Sequence, residues 1–398
     1  MPRFLTLDDL DAKGKRVLVR ADLNVPVKDG RVTDQTRIAR LAPTIRELAE
    51  KGARVVVISH FGRPDGKPDP ALSLRPIAQP LSEALGRRHV TFVEDCIGPR
   101  AKAAVDGLKP GEIALLENLR FHQEEEANDK GFAQALAALA DIYVDDAFSC
   151  AHRAHASVEA VAHLLPAYAG RLMEAELKAL SSALEHPRHP VAAIVGGAKV
   201  STKLAMLHFL AAKVQVLIVG GAMANTLLLA EGRGVGKSLV ERELLAVAGK
   251  LRADAAKSGC ELILPVDAVV AKELKPGAAT RTVAIGQVPE DSMILDIGPQ
   301  TAALIASKLA ACRTLVWNGP LGAFEVKPFD QGTSVIANLV AELTQGRRLS
   351  SVAGGGDTVA ALAAAGVTGK LSYVSAAGGA FLEWLEGREL PGIKALKR

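Results

Sequence analysis

The sequence predicts an α/β protein of two lobes, each with a mostly parallel sheet flanked by helices, joined by a hinge helix. Three observations carry that prediction. Short apolar runs alternate with amphipathic stretches along the whole chain. The 398 residues exceed a typical single domain. The composition is 49% hydrophobic but only 4% aromatic, so cores are built from Ala, Val and Leu, as in parallel sheets covered by helices.

Composition also narrows the function classes. A formal charge of +4 is spread along the chain without a Lys/Arg block or interleaved aromatics, so nothing favours nucleic acid. Cys96, Cys150, Cys260 and Cys312 form no CxxC pair, which fits a reduced interior. Met1-Pro2-Arg3-Phe4 carries no apolar signal-peptide core, and no apolar run approaches membrane-spanning length. The expectation is a soluble cytoplasmic protein.

In the first half, Arg16 to Arg20 reads as a strand ending in the polar loop Asp22-Leu23-Asn24. Thr33-Asp34 can cap a helix carrying Ile38, Leu41, Ile45 and Leu48, closed by Gly52. Strands follow at 54–58, 90–93, 113–116 and 142–144, with helices at 74–85 and 130–139. The loops after these strands supply Asp22 and Asn24, then His60 and Arg63, then Arg120, then His152 and Arg153. Arg37 lies near the start of the first helix. In an open parallel sheet such loops converge at the carboxyl edge. Guanidinium forks meeting there match a small, multiply charged anion. Taken singly, each arginine fits an exposed ion pair better than an anion site.

The segment 166–170 ends the first unit, and 172–184 reads as the joining helix. A strand at 191–195 leads into Gly196-Gly197-Ala198-Lys199-Val200-Ser201-Thr202-Lys203. With a helix starting near Ser201, Lys199 and Lys203 share a heading and fit polyphosphate. Further strands are expected at 214–219 and 262–264, a helix at 239–257, and short strands with turns over 269–294. Gly232 to Ser238 is no P-loop, because the spacing before Gly-Lys-Ser is one residue short and no strand ends there. Asp296 to Pro299 is expected to cap a helix through Leu309. A strand at 314–317 then opens into Asn318 to Glu325, an apolar slot where Glu325 can accept ribose hydroxyls. A final helix carries Phe381 and Trp384, and Pro391-Gly392 is expected to end it.

The run Gly354-Gly355-Gly356-Asp357-Thr358 sits between an apolar strand and an Ala/Leu-rich helix. Its amides can face an anion. Asp357 repels phosphate unless a cation intervenes, which points to a magnesium-bound nucleotide tail. Asp357 or Thr358 capping the helix explains the same pattern without a ligand.

Taken together, these segments resemble phosphoglycerate kinases from end to end. The most diagnostic is Val17-Leu-Val-Arg-Ala-Asp-Leu-Asn-Val-Pro26. It is joined by Ser59-His-Phe-Gly-Arg-Pro64, Glu117-Asn-Leu-Arg-Phe121, Ala151-His-Arg-Ala-His155, Gly197-Ala-Lys-Val200, Trp317-Asn-Gly-Pro320 and Gly354-Gly-Gly-Asp-Thr358. The resemblance implies two Rossmann-like lobes. Residues 1–170 would bind the triose acid, and 171–385 the nucleotide, including the hinge helix at 171–185. The tail 386–398 would return toward the first lobe. The implied reaction is reversible, magnesium-dependent phosphoryl transfer between 1,3-bisphosphoglycerate and ADP, giving 3-phosphoglycerate and ATP. The implied state is a monomer that closes around its ligands.

By the same matching, Asp22, Asn24, Arg37, His60, Phe61, Gly62, Arg63, Arg120 and Arg153 are implied triose-ligand residues. Gly197, Ala198, Lys199, Lys203, Gly220, Gly221, Asn318, Pro320, Glu325, Gly354, Gly355, Gly356, Asp357 and Thr358 are implied for the nucleotide. Arg37, Lys199 and Lys203 would stabilise the transferring group, and Asp357 would hold Mg²⁺. Departures from the family pattern stand at Asp145, at Ser149-Cys150, at Ala376-Ala377 and at Leu227. An acyl-phosphate kinase for another acid would share the mechanism and change the first-lobe fit. A non-catalytic scaffold would need no such set of arginines, Lys203 and Asp357 together.

Overall fold

The computed structural model describes residues 4–397. Met1-Pro2-Arg3, read above as lacking a signal core, and the last tail residue, Arg398, lie outside the described residues. The chain forms two compact units. One runs to Leu177 and takes back the stretch from Glu389; the other spans Lys178–Arg388.

The first unit holds β1 (Arg16–Arg20), β2 (Val27–Lys28), β3 (Arg31–Val32), β4 (Arg54–Ile58), β5 (Val90–Val93), β6 (Ile113–Leu116), β7 (Ile142–Asp145) and β8 (Ala167–Ala169). Apart from the β2–β3 hairpin, these make one parallel sheet in the order β5-β6-β4-β1-β7-β8. In β1 and β4 four consecutive residues are buried, as expected of strands covered on both faces. The helices are α1 (Thr36–Glu50), α2 (Ala78–Ala84), α3 (Gly98–Asp106), α4 (Lys130–Ala137) and α5 (Arg171–Leu180). Ile38, Leu41, Ile45 and Leu48 form one stripe of α1, buried with Val17, Val19, Val55 and Val57 of the sheet. Each such side chain contributes about 1.5–3 kcal/mol.

Several expected boundaries shift for identifiable reasons. Thr33-Asp34 does not cap α1. The Asp34 carboxylate accepts from Thr36 N at 2.8 Å and Thr36 Oγ1 at 2.6 Å, closing a turn before the helix. The 74–85 helix splits into a 3-10 turn, Arg75–Ile77, and α2. Pro76 and Pro80 supply no amide across that junction. The hairpin, α3 and β8 were not anticipated.

The second unit adds β9 (Val191–Val195), β10 (Val216–Val219), β11 (Glu261–Ile263), β12 (Asp267–Ala271), β13 (Arg281–Ala284), β14 (Met293–Ile297), β15 (Thr314–Asn318), β16 (Ser350–Ala353) and β17 (Tyr373–Val374). Its parallel sheet runs β11-β10-β9-β15-β16-β17, and β13-β12-β14 form a separate antiparallel sheet. The helices are α6 (Leu204–Ala211), α7 (Gly221–Ala230), α8 (Leu245–Lys257), α9 (Pro299–Ala311), α10 (Gln331–Gln345), α11 (Gly356–Ala364) and α12 (Gly378–Leu385). The changeover from the first unit falls inside α5, later than the expected 170. The joining helix stops at Leu180 and continues as a π-helical turn, Ser181–Glu185. The start of α9 is held by Asp267, whose carboxylate accepts from Gln300 N and Thr301 N at 3.0 and 2.8 Å. Asp296, expected in that role, accepts instead from Gly332 N at 2.7 Å.

Pro391-Gly392 opens a further helix, α13 (Pro391–Leu396), where proline suits the first turn. The preceding helix has already ended at Leu385, with Gly387 in the left-handed region. Gly392 N donates to Ala151 O at 2.9 Å, tying α13 to the first unit. No helix among the described residues is long and apolar enough to cross a membrane.

Candidate active site

Loops following β1, β4, β6 and β7 meet at the carboxyl edge of the first sheet. Arg37 forms an ion pair with Asp22, whose Oδ2 also accepts from Ser149 Oγ at 2.5 Å. Burial pushes the Asp22 carboxyl up, but the Arg37 guanidinium and the bond from Ser149 outweigh it and hold it below the usual carboxylate range. Gly62 N donates to Asn24 Oδ1 at 3.1 Å, and Arg120 donates to Gly62 O at 2.7 Å. Arg120 is 5% exposed and pairs with Glu126 at 2.9 Å. Burial, then Arg20, Arg120 and Arg153 against Asp22, keep His60 well below the usual imidazole range. A neutral His60 therefore sits among arginines.

Two of the expected residues take other parts. Phe61 buries its ring in the core of the first unit, and its backbone N and O are both bonded to the Asn118 side chain, at 3.1 and 2.7 Å. Arg63 is exposed and forms no ion pair among the described residues. Two groups were missed by sequence reasoning. Arg20, 1% exposed behind the loops, is quoted in the motif but carries no distinguishing signal as a strand residue. Ser149 was noted only as a departure.

In the second unit, loops after β9, β10, β15 and β16 interlock at the carboxyl edge. Lys203 Nζ donates to Gly196 O and Asn318 Oδ1, both at 2.6 Å. Asn318 Nδ2 donates to Gly354 O at 2.8 Å, and Gly319 N to Thr358 Oγ1 at 2.6 Å. These bonds join three loops. Gly355 has φ +95°, and a Cβ there would lie 2.5 Å from Asn318 Nδ2. Gly319 has φ +100°, and its Cβ would meet Gly196 O at 2.1 Å. Burial lowers the Lys203 pKa to about 8, with Asp357 partly opposing. The ammonium is still the main form at neutral pH.

Beside these loops lies a cavity of about 350 Å³, lined by Gly197, Ala198, Gly221, Pro320, Glu325 and Asp357 among others. Its walls are largely apolar, including Leu239, Leu274, Met293 and Phe324. Leu239 is free to line it because the helix expected from that residue starts only at Leu245. Gly356 and Asp357 are exposed at the start of α11.

Here too the structure redistributes roles. Lys199 and Lys203 do not share a helix face. Residues 201–203 are a turn and α6 begins at Leu204, leaving Lys199 exposed while Lys203 turns inward. Asn318 and Thr358 are 2% and 1% exposed, and their side chains tie loops together. Thr358 therefore does not cap α11, and its hydroxyl oxygen is taken up by Gly319 N. Gly220 and Gly354 are buried beneath the surface loops. Ala377 has φ −96°, a conformation any residue adopts, and Leu227 is buried in α7 away from the cavity lining.

The family model described as Phosphoglycerate kinase matches residues 7–388. The phosphoglycerate kinase of Rhodospirillum centenum is 60% identical over 393 residues, covering 99% of each chain. That of Chelativorans sp. is 59% identical over 399 residues, covering 100% of each. The solved phosphoglycerate kinase from Coxiella burnetii matches with a TM-score of 0.92 at 44% identity, covering 99% of both chains. The one from Pyrococcus horikoshii matches with 0.79 at 32% identity, covering 98% of both. On sequence and fold alike, the chain belongs to the phosphoglycerate kinase family.

Proposed function

We propose that the two residue clusters divide one phosphoryl transfer between them. The enzyme is a phosphotransferase with a carboxyl acceptor, moving a phosphoryl group reversibly between 1,3-bisphosphoglycerate and ADP in glycolysis and gluconeogenesis. Its first unit takes 3-phosphoglycerate or 1,3-bisphosphoglycerate, and its second takes ADP or ATP. The observation that carries this division is the pairing of an arginine-rich sheet edge in one unit with Lys203 beside an apolar cavity in the other.

In the first unit, Arg37, Arg120 and Arg153 supply charge for the triose acid and its phosphate, with Arg63 able to swing in from solvent. Asp22 orients Arg37, and Asn24 holds the Gly62 loop that Arg120 also grips. His60 binds and does not abstract a proton. A terminal phosphate oxygen of ADP is already charged and needs no base.

In the second unit, the apolar cavity takes the base and Glu325 the ribose. The exposed start of α11 faces the phosphates with free amides. Asp357 fits Mg²⁺: it is a hard oxygen donor, exposed, and belongs to no cluster of three metal-capable side chains among the described residues. One carboxylate with substrate phosphates and water is the usual Mg²⁺ environment. The bound ion neutralises phosphate charge.

The ADP oxygen forms a bond to the acyl phosphorus as the bond to the carboxylate oxygen breaks; the reverse direction exchanges those roles. Lys203, with Arg37 and the more exposed Lys199, stabilises charge on the transferring group. Because the two ligand sets belong to separate units, direct transfer needs a step that brings the ligands together and excludes water. We assign the joining segment around α5 to that step, with compaction of the ternary complex in solution scattering as its sign. A monomer is the state that membership of the family suggests. Four free, buried cysteines support a reducing compartment such as the cytoplasm.

ATP formation from ADP, Mg²⁺ and 1,3-bisphosphoglycerate tests the division. His60→Ala should raise the triose KM more than it lowers kcat. Arg37→Ala should lower both kcat and triose affinity. Equal, negligible effects of both changes would reject these roles.

A further inference from the structure

The Arg20 guanidinium is a full charge buried at the end of β1. Its surroundings explain how it is kept there. Nε donates to Ser157 Oγ at 2.8 Å. Ser157 in turn donates to the buried Glu125, from Oγ at 2.6 Å and from N at 2.9 Å. A buried carboxylate thus answers a buried cation through one hydroxyl. A second nitrogen donates to Ala21 O. The third faces His60 Nδ1 at 3.3 Å.

A guanidinium has only donors, so Nδ1 must accept, and the proton of a neutral imidazole then sits on Nε2. Cys150 Sγ lies 4.0 Å from the same nitrogen, and burial keeps its thiol protonated, so it too offers hydrogen and not a lone pair alone. Around His60, Arg20 on β1, Arg120 after β6 and Arg153 after β7 all oppose an imidazolium; Asp22 favours one. The cations outnumber the anion three to one.

We propose that Arg20 is a positioning residue: by donating to Nδ1 it fixes His60 as the Nε2–H tautomer, so His60 meets an anionic oxygen of the triose ligand as a donor. This rests on the reading of the first unit as the triose site. The arrangement also leaves that donor unchanged across neutral pH, where an unrestrained histidine would titrate.

The test is nitrogen NMR of the full-length enzyme with labelled histidine, His60 being assigned by His60→Gln. The expected spectrum shows a pyridine-like Nδ1 and pyrrole-like Nε2, no titration through neutral pH, and a shift on adding 3-phosphoglycerate. Arg20→Met should give mixed tautomers, bring titration toward the ordinary pKa of about 6.5, and raise the 3-phosphoglycerate KM about tenfold. Arg20→Lys, which keeps a charged donor, should restore the Nε2–H signal. A proton on Nδ1, or an imidazolium at neutral pH, in the unaltered enzyme overturns the proposal even if Arg20→Met fails to fold. An unchanged tautomer in folded Arg20→Met overturns the role of Arg20. A His60 signal unmoved by 3-phosphoglycerate overturns the underlying placement at the ligand, which separates the two failures.

Discussion

Replacing Lys203 by Met separates what a buried charge costs from what it does. Its Nζ donates to Gly196 O and Asn318 Oδ1 at 2.6 Å each, and burial holds its pKa at about 8 against an ordinary 10.5. Keeping the ammonium charged in the fold therefore costs about 3 kcal/mol. Methionine removes that cost but leaves two acceptors unpaired, each worth about 1–3 kcal/mol. The terms oppose each other and are similar in size, so unfolding free energy should change by only about 1 kcal/mol. Catalysis has no such compensation. Losing a cation where charge develops in the transition state should lower kcat by about 10²–10³-fold. Urea unfolding paired with initial rates of ATP formation reads both quantities on one preparation. A folded Lys203→Met enzyme that keeps kcat within about tenfold of the parent refutes the role. So does an activity loss that merely follows loss of folded protein.

The same lysine gives opposite pH slopes for stability and activity. The fold binds its proton less tightly than the unfolded chain, so stability rises as pH climbs from about 8 toward 10.5, while kcat/KM falls above about 8 as the ammonium is lost. Paired pH–denaturation and pH–rate profiles check this. Asp145 is fully buried, accepts from Ala147 N at 2.9 Å and leaves Oδ2 without a partner; burial raises its pKa to about 7. Its contribution to stability is present in acid and lost as pH rises through about 7, so Asp145→Asn should match the parent near pH 4 and exceed it by about 1–3 kcal/mol at pH 8 in thermal melts. Asp357 is exposed, so Asp357→Asn should leave the melting temperature unchanged and raise the Mg²⁺ needed for half-maximal rate about tenfold. A magnesium titration of the rate decides that one.

The sheets were legible because their strands are uninterrupted apolar runs, and the loops that end them carry the polar residues. Arg16 to Arg20, Arg54 to Ile58 and Val191 to Val195 needed nothing from elsewhere in the chain. Short elements were not legible: β2 and β3 have two residues each, and α3 opens on Gly98-Pro99 with a weak apolar stripe. At the candidate sites, residue type pointed to loops that the fold brings together but not to which way each side chain turns. A spacing of four made Lys199 and Lys203 look like one helical pair, yet the turn at 201–203 sends them apart. Asn318 and Thr358 were grouped with ligand contacts, whereas their side chains fasten neighbouring loops. Arg20 was invisible because its partner Ser157 lies 137 residues away in sequence. Buried polar pairing of that range leaves no local pattern.

The division of ligands between the units is tested most directly by calorimetry on Arg37→Ala, titrating 3-phosphoglycerate and Mg²⁺-ADP in separate experiments. Arg37 pairs with Asp22 at the first sheet's edge and is 39% exposed, so the change should leave the fold intact. The predicted result is a loss of 3-phosphoglycerate affinity of about tenfold or more, with ADP affinity unchanged within about twofold. Equal losses for both ligands, or a loss for ADP alone, would contradict it.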